Sequence, residues 1–346
     1  MKNVLYLKVF FSASIILFSC NRKSHDTKEL LNNAIPVQSN EIAIDFLLGK
    51  PTQIAICNDT LVITDNIEEK ILAFYDIKNN QFLGRQLQVG QGPDEVIPPL
   101  LLSRTNESGL LSVLQRQNGK HMEYDIGNLV NGHLKPSKLL DLGIADRIVQ
   151  TGEGFVTTGP YEKGSIKVFD NKGDMVKNYN IYPQYIKDLS ERENQYVLGQ
   201  GHIAYNKGNK VLAFASYFLG EASFYRLSGD SLQLLQRMDL NLSDGLYKRI
   251  INSRGVVQIT DTDLEYFSDI YATADYFYLL YTGMPRKDKN SVSHSYILKF
   301  SPKGNLIDTY KTDRKIHSFC IRDDDEKGYA IALSKDMDYV LVEMNL

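Results

Sequence analysis

A short unit that returns five times along the chain restricts its fold more than any other feature. Five segments share an aromatic residue, usually a polar neighbour such as Asp or Ser, a turn rich in Gly, Asn or Lys, and a second strand-like run. They are AFYDIKNNQFLGRQ from Ala73, MEYDIGNLVNGHLK from Met122, KVFDNKGDMVKNY from Lys167, SFYRLSGDSLQLLQR from Ser223 and LKFSPKGNLIDTY from Leu298. Each reads as a β-hairpin, because Gly and Asn accept the positive φ of a tight turn while Asp and Ser side chains cap its exposed amides. Further apolar runs of strand length precede the hairpins, such as QIAIC and TLVITDN before the first and GHIAYN and KVLAFASYF before the fourth. Long stretches of helical periodicity are nearly absent.

Four strands per unit, repeating at roughly 45 to 75 residues, is the pattern of propeller blades. Complete units fall at 50–90, 96–142, 145–183, 200–241 and 266–312. The tail supplies only three more strands, KIHSFCI, KGYAIALS and YVLVEMNL, before the last residue, Leu346. A fourth is available at the other end, where EIAIDFLL runs from Glu41 to Leu48. Pairing it with the tail would close the ring and remove the exposed sheet edges of an open array. The expected fold is therefore all-β, a six-bladed propeller over 40–346 with four antiparallel strands per blade, closed by an N-terminal outer strand. Five or seven blades, or a pair of β-sandwiches, are the alternatives. The segment from Ser243 to Leu264 is long for a connection and could hold a short helix across one face. With 21 Tyr and 15 Phe but no Trp, the aromatic content suits strands.

The first twenty residues, MKNVLYLKVFFSASIILFSC, form a basic start, an apolar run and a small residue before Cys20. That run is shorter than the roughly 20 residues a bilayer span needs. Leu17, Phe18, Ser19 and Cys20 resemble the lipobox of bacterial lipoproteins, which implies a signal peptide over 1–19 and a lipidated Cys20. Residues 20–39 read as a polar tether. Arg22 and Lys23 stand where surface-exposed lipoproteins of Bacteroidetes carry acidic residues, so the expected address is the periplasmic side of the cell envelope.

Lysine and arginine number 39 against 42 acidic residues, a formal −3 that becomes −5 without the two signal lysines. This balance gives no basic face for nucleic acid. Apart from Cys20 there are two cysteines, Cys57 and Cys320, without CxxC spacing; zinc or thioredoxin-type chemistry is not expected. Both fall at the ends of innermost strands in neighbouring blades, where they could form a disulfide or serve as small buried apolar residues.

VITDNIEEKILAFYD, from Val62 to Asp76, resembles an NHL-type repeat. VGQGPDEVIPP, from Val89 to Pro99, resembles the G-x-G-P-x-E signature that follows the first blade in TolB-like six-bladed propeller lipoproteins of Bacteroidetes, with Asp94 replacing the usual glycine before the glutamate. The resemblance implies fold and compartment rather than a reaction. Gly90, Gly92 and Pro93 could place Glu95 at the mouth of the ring, or the glycines could permit a tight crossing between blades while Glu95 caps amides. Some six-bladed propellers are calcium-dependent hydrolases whose metal is held by carboxylate and amide oxygens; here Asp65, Asn66, Glu95 and Asp269 are the candidates. The acidic run Asp323–Glu326 reads as a solvated turn.

Histidines are scattered over the blades, and His202 and His317 should start inner strands and face the channel. Tyr161, Tyr205, Tyr217, Tyr271 and Tyr281 could line an aromatic funnel or pack the blades together. No nucleophile elbow is present. The residues point to a monomeric, non-catalytic module without cofactor that binds a protein partner or an envelope glycan. A calcium-dependent hydrolase or lyase is the alternative.

Overall fold

The computed structural model describes residues 22–24, 27–92, 94–103, 109–229, 231–240, 242–253, 255–288, 291 and 293–346. The signal segment, Cys20 and Pro93 lie outside them. Among the described residues six sheets, each with four antiparallel strands, are arranged as a propeller, and two of them carry a fifth, parallel strand. Blade 1 comprises Gln53–Cys57, Thr60–Ile67, Lys70–Asp76 and Gln81–Gln88. The innermost strands of the other five blades are Leu100–Leu102, Arg147–Gln150, Gly201–Asn206, Leu264–Ala272 and Ile316–Ile321. These six strands neighbour one another around the central channel.

The recurring aromatic and polar pair explains why each unit folds as it does. Tyr75, Tyr124, Phe169, Tyr225 and Phe300 are all buried between blades, and the residue after most of them ties off the connection to the outer strand. Asp76 accepts from the amides of Lys78 and Asn79 at 2.9 and 3.0 Å, and Asp170 from those of Lys172 and Asp174 at 2.8 and 3.0 Å. These amides hold both carboxyls below the usual carboxylate range. In blade 2 the connection is longer than the expected tight turn. Asp125 instead caps a short helix, Ile126–Val130, accepting from Asn128 N at 2.8 Å.

Middle strands are sandwiched between neighbouring blades and therefore lack strict alternation: every residue of Val211–Ser216 and of Gly154–Thr158 is buried. The outer strand Met175–Tyr179 has no fully buried residue. The core is accordingly a series of clusters between adjacent blades, such as Leu72, Phe74, Leu111 and Val113 between blades 1 and 2.

Ring closure is observed, with a shift in position. Blade 6 consists of Ile316–Ile321, Lys327–Leu333 and Tyr339–Asn345, and its fourth strand is Ser39–Glu41, paired through Val342↔Glu41 and Met344↔Ser39. The ladder continues only to Ile42, whose amide donates to Leu341 O at 2.9 Å. Beyond it the expected strand over Glu41–Leu48 is not formed, because the chain must cross to the inner strand of blade 1; Ile42, Ile44 and Phe46 pack on the core instead. Asp313 pins the closure by accepting from Ser39 N at 3.0 Å and Ser39 Oγ at 2.6 Å.

Within 22–39, expected as a tether, Arg22–Ser24 runs parallel to the outer strand of blade 4 and Ile35–Val37 parallel to that of blade 5. Helix Thr27–Asn32 lies between them and buries Leu30 against blades 4 and 5. A helix is found in the long Ser243–Leu264 segment, at Asp244–Asn252, and two further helices, Gln184–Lys187 and Arg192–Gly199, occupy the crossover from blade 3 to blade 4. Ile186, Leu198, Leu246 and Ile250 give these three helices a small core of their own, joined by Phe218. No described helix is long and apolar enough to cross a membrane.

Candidate functional site

In each blade the chain arrives from the previous outer strand, enters the innermost strand, and returns to the same face at the end of the second. Side chains at those two positions converge from all six blades on one cavity of about 920 Å³ at the mouth of the channel. We call this side the crossover face. From the starts of inner strands come Gln53, Leu101, Arg147, His202 and His317, and from the middle of the blade 5 inner strand Asp269; from the ends of second strands come Arg116, Tyr217, Arg286 and Leu333. The three helices lie in crossovers that open on the same side, and one of them, Arg192–Gly199, reaches the mouth through Tyr196.

The lining is cationic in a chain that is acidic as a whole. Lys50, Arg116, Arg147, Arg286 and Lys315 oppose Asp146, Glu265 and Asp269, and three imidazoles, His202, His294 and His317, join them. Each carboxylate is already engaged within the protein. Asp146 is buried, accepts from Tyr196 Oη of helix Arg192–Gly199 at 2.5 Å, and pairs with Arg116 and with Arg147, the latter at 3.6 Å. Glu265 is held 3.1 Å from Arg286 Nε and accepts from the Tyr217 phenol. Asp269 accepts from Ser318 Oγ at 2.7 Å and Phe319 N at 3.3 Å. The Tyr217 hydroxyl is pushed well above its ordinary pKa, chiefly by burial and then by Glu265, with Arg286 and Arg147 opposing the shift. One phenol thus reports that blades 3, 4 and 5 meet around it.

The arginines keep donors to spare. Arg286 engages Glu265 through Nε, and its terminal nitrogens make no hydrogen bond among the described residues. Arg147 donates through one terminal nitrogen to Asp146 O at 2.6 Å; its Nε is buried, and its other terminal nitrogen makes no hydrogen bond among the described residues. Ring faces stand beside them: Tyr217 packs edge-on to Phe218 at 4.7 Å and neighbours His202 at 6.4 Å, and His317 lies edge-on to Tyr339 at 5.6 Å.

Of the residues singled out in the sequence, His202, His317 and Asp269 lie in this funnel. The others do not line it. Asp65 has a fully buried carboxylate that accepts from Gly49 N and Lys50 N at 3.0 and 2.8 Å and pairs with Arg85 at 3.1 Å. Asn66, next to it, is exposed. Glu95 turns back on its own loop and accepts from Gly92 N at 2.7 Å. A Cβ on Gly90 would stand 1.9 Å from Glu95 Oε2, so the glycine is required for the carboxylate to sit there. The G-x-G-P-x-E signature is thereby a self-capping crossing between blades.

A calcium site does not fit this geometry. Its four expected donors are dispersed, Asp65 is neutralised by Arg85, and only Asp269 reaches a channel that is otherwise rich in cations. Among the described residues no group of three or more His, Cys, Asp or Glu could hold a metal ion. Cys57 and Cys320 are buried and unbridged: Cys57 faces the cluster between blades 1 and 2, whereas Cys320 belongs to the cluster of blades 5, 6 and 1. Burial pushes the Cys57 thiol up to about 12. Tyr161, Tyr205, Tyr271 and Tyr281 are buried in blade packing, leaving Tyr217 as the funnel's share of that group. The Asp323–Glu326 run is the turn between two strands of blade 6, where Asp325 accepts from Tyr278 Oη at 2.9 Å.

Sequence reasoning missed Arg116, Arg147, Arg286, Lys315 and Glu265. One signal could have found part of the set, since Lys50, Arg147, Glu265 and Lys315 all occupy the same phase of the repeat, at or just before an inner strand.

A sequence profile described as TolB-like 6-blade propeller-like matches residues 32–324. Among solved structures, a Bacteroides fragilis protein inferred to be exported is 14% identical with a TM-score of 0.60, over 93% of this chain and 97% of that one. A DUF4221 family member from Bacteroides vulgatus is 11% identical with a TM-score of 0.53, over 89% and 97%. A luciferin-regenerating enzyme is 11% identical with a TM-score of 0.51, over 89% and 94%. At these identities the likeness is one of fold alone. No curated protein matches the chain.

Proposed function

Because the chain belongs to the TolB-like six-bladed propeller family, we propose that it is a non-catalytic binding module of the cell envelope. In this reading it holds a protein partner or an envelope glycan at the crossover-face funnel and is anchored by lipid on Cys20, facing the periplasm. The observation that carries it is the convergence of all six blades on one cavity within the ~300–1,000 Å³ range of ligand sites. Rigid inner strands hold the lining in place, and the carboxylates there are committed to internal partners rather than poised for proton transfer. The export inferred for the B. fragilis relative supports the envelope address.

A photo-crosslinking residue at Thr282 or Leu333, both in the funnel, should capture a reproducible adduct in native envelopes. The same probe at Lys172, in a turn between the outer two strands of blade 3, should not. Equal labelling at both positions, or none at either, refutes the site. Cys20→Ala should move a folded propeller from the membrane fraction to the soluble fraction; retention in the membrane overturns the anchor.

A further inference from the structure

The funnel's chemistry narrows the ligand further, on the premise that it is the binding site. Five lysine or arginine side chains against three carboxylates, inside a concave protein wall, focus a positive potential where the chain as a whole is negative. Arg147 of blade 3 and Arg286 of blade 5 flank Tyr217 of the blade between them, and each has a terminal guanidinium nitrogen that makes no hydrogen bond among the described residues. A planar guanidinium fork matches a carboxylate in two parallel hydrogen bonds. Around them, Gln200, Ser268 and Thr282 supply hydroxyl- and amide-type groups, while Tyr217 and His202 contribute aromatic rings to the lining. Cations for an acid, neutral polar groups for hydroxyls and rings for C–H faces together describe a sugar acid.

The architecture disfavours an extended peptide. The ring is closed by Ser39–Glu41, and the funnel is built from strand ends rather than from an open sheet edge, so it offers no backbone ladder for a strand to join. A compact ligand entering end-on is what the cavity accommodates.

We infer that the crossover-face funnel takes a carboxylate-bearing saccharide, with the uronic-acid carboxylate bound by Arg147 and Arg286. Isothermal calorimetry of the full mature chain with digalacturonate tests it. Binding should be at least tenfold tighter than that of the matching neutral disaccharide and should weaken between 50 and 300 mM salt, as expected for a charge-driven contact. Arg286→Gln and Arg147→Gln should each weaken digalacturonate at least tenfold, with melting curves checking that each variant folds, while Lys172→Gln leaves binding unchanged. Equal affinity for acid and neutral sugars overturns the inference. So does an acidic heptapeptide that binds where digalacturonate fails. Failure of digalacturonate with continued crosslinking at Thr282 would remove the saccharide assignment and leave the binding reading standing; loss of both would remove both.

Discussion

Alanine at position 90 is expected to destabilise the propeller by about 2–3 kcal/mol, through its effect on a single neighbour. The three atoms nearest to a Cβ built there all belong to Glu95, at 1.9, 2.5 and 3.2 Å. The carboxylate must therefore move, breaking its 2.7 Å hydrogen bond from Gly92 N. A hydrogen bond to a charged group contributes ~1.5–3 kcal/mol, and the half-buried setting of Glu95 favours the lower end. Forcing extra volume into a packed site adds ~1–3 kcal/mol. Glu95→Ala alone loses the bond without any overlap and should cost about 1–1.5 kcal/mol. In the double variant the overlap has no partner, so its cost should be close to that of Glu95→Ala by itself. Urea denaturation of the four proteins, with shared slopes, gives the coupling energy, expected at more than ~1 kcal/mol. Additivity within ~0.5 kcal/mol would refute the self-capping account. A Glu95→Ala protein of unchanged stability that no longer binds ligand would return Glu95 to the binding site.

Further expectations concern the closure, the core and the thiols. Asp313→Ala removes the shared acceptor of Ser39 N and Ser39 Oγ and should cost about 1–2 kcal/mol, with limited proteolysis first cutting before residue 42; unchanged stability would refute the pinning role. His121 is fully buried, accepts from or donates to Ser112 Oγ at 2.6 Å, and is held neutral by burial, its pKa lowered to about 3. The unfolded imidazole protonates near 6.5 and the folded one does not, so this group's contribution is intact above about 6.5 and is lost as pH falls towards 3, by up to ~1.4 kcal/mol per pH unit. Urea midpoints at pH 7, 6 and 5 should fall more steeply for the wild type than for His121→Asn; parallel curves would refute it. Cys57 and Cys320 should resist a thiol reagent in the folded protein and both react after unfolding without reductant. A protected pair after unfolding would reveal a bridge.

Much of the architecture was legible because its causes are local. An aromatic residue followed by Asp and a Gly- or Asn-rich turn encodes a hairpin within about fifteen residues, and Tyr75–Asp76 and Phe169–Asp170 behave as such pairs. The need to close the ring also followed, since three tail strands leave an unpaired edge. The position of the closing strand did not. Glu41–Leu48 carries the stronger apolar alternation, yet Ser39–Glu41 makes the ladder, because the distance left to reach blade 1 decides where pairing must stop. Helices Gln184–Lys187 and Arg192–Gly199 do not stand out in the sequence because their apolar residues are few and find their partners in each other and on the next crossover.

By itself, then, the sequence determined the repeat, the all-β blades, their number, and the capping role of the residues beside each aromatic. Only the tertiary structure decided which charges meet. Asp65 and Asp269 look alike as residues in a strand, but one is folded under Arg85 and the other against Ser318 at the channel. Arg147 and Arg286 stand 139 positions apart in the chain and flank the same phenol. Hydrogen-bonding patterns within a blade are set by neighbours in sequence, whereas the charge of a channel is set by the ring, which brings the same phase of six repeats to one point.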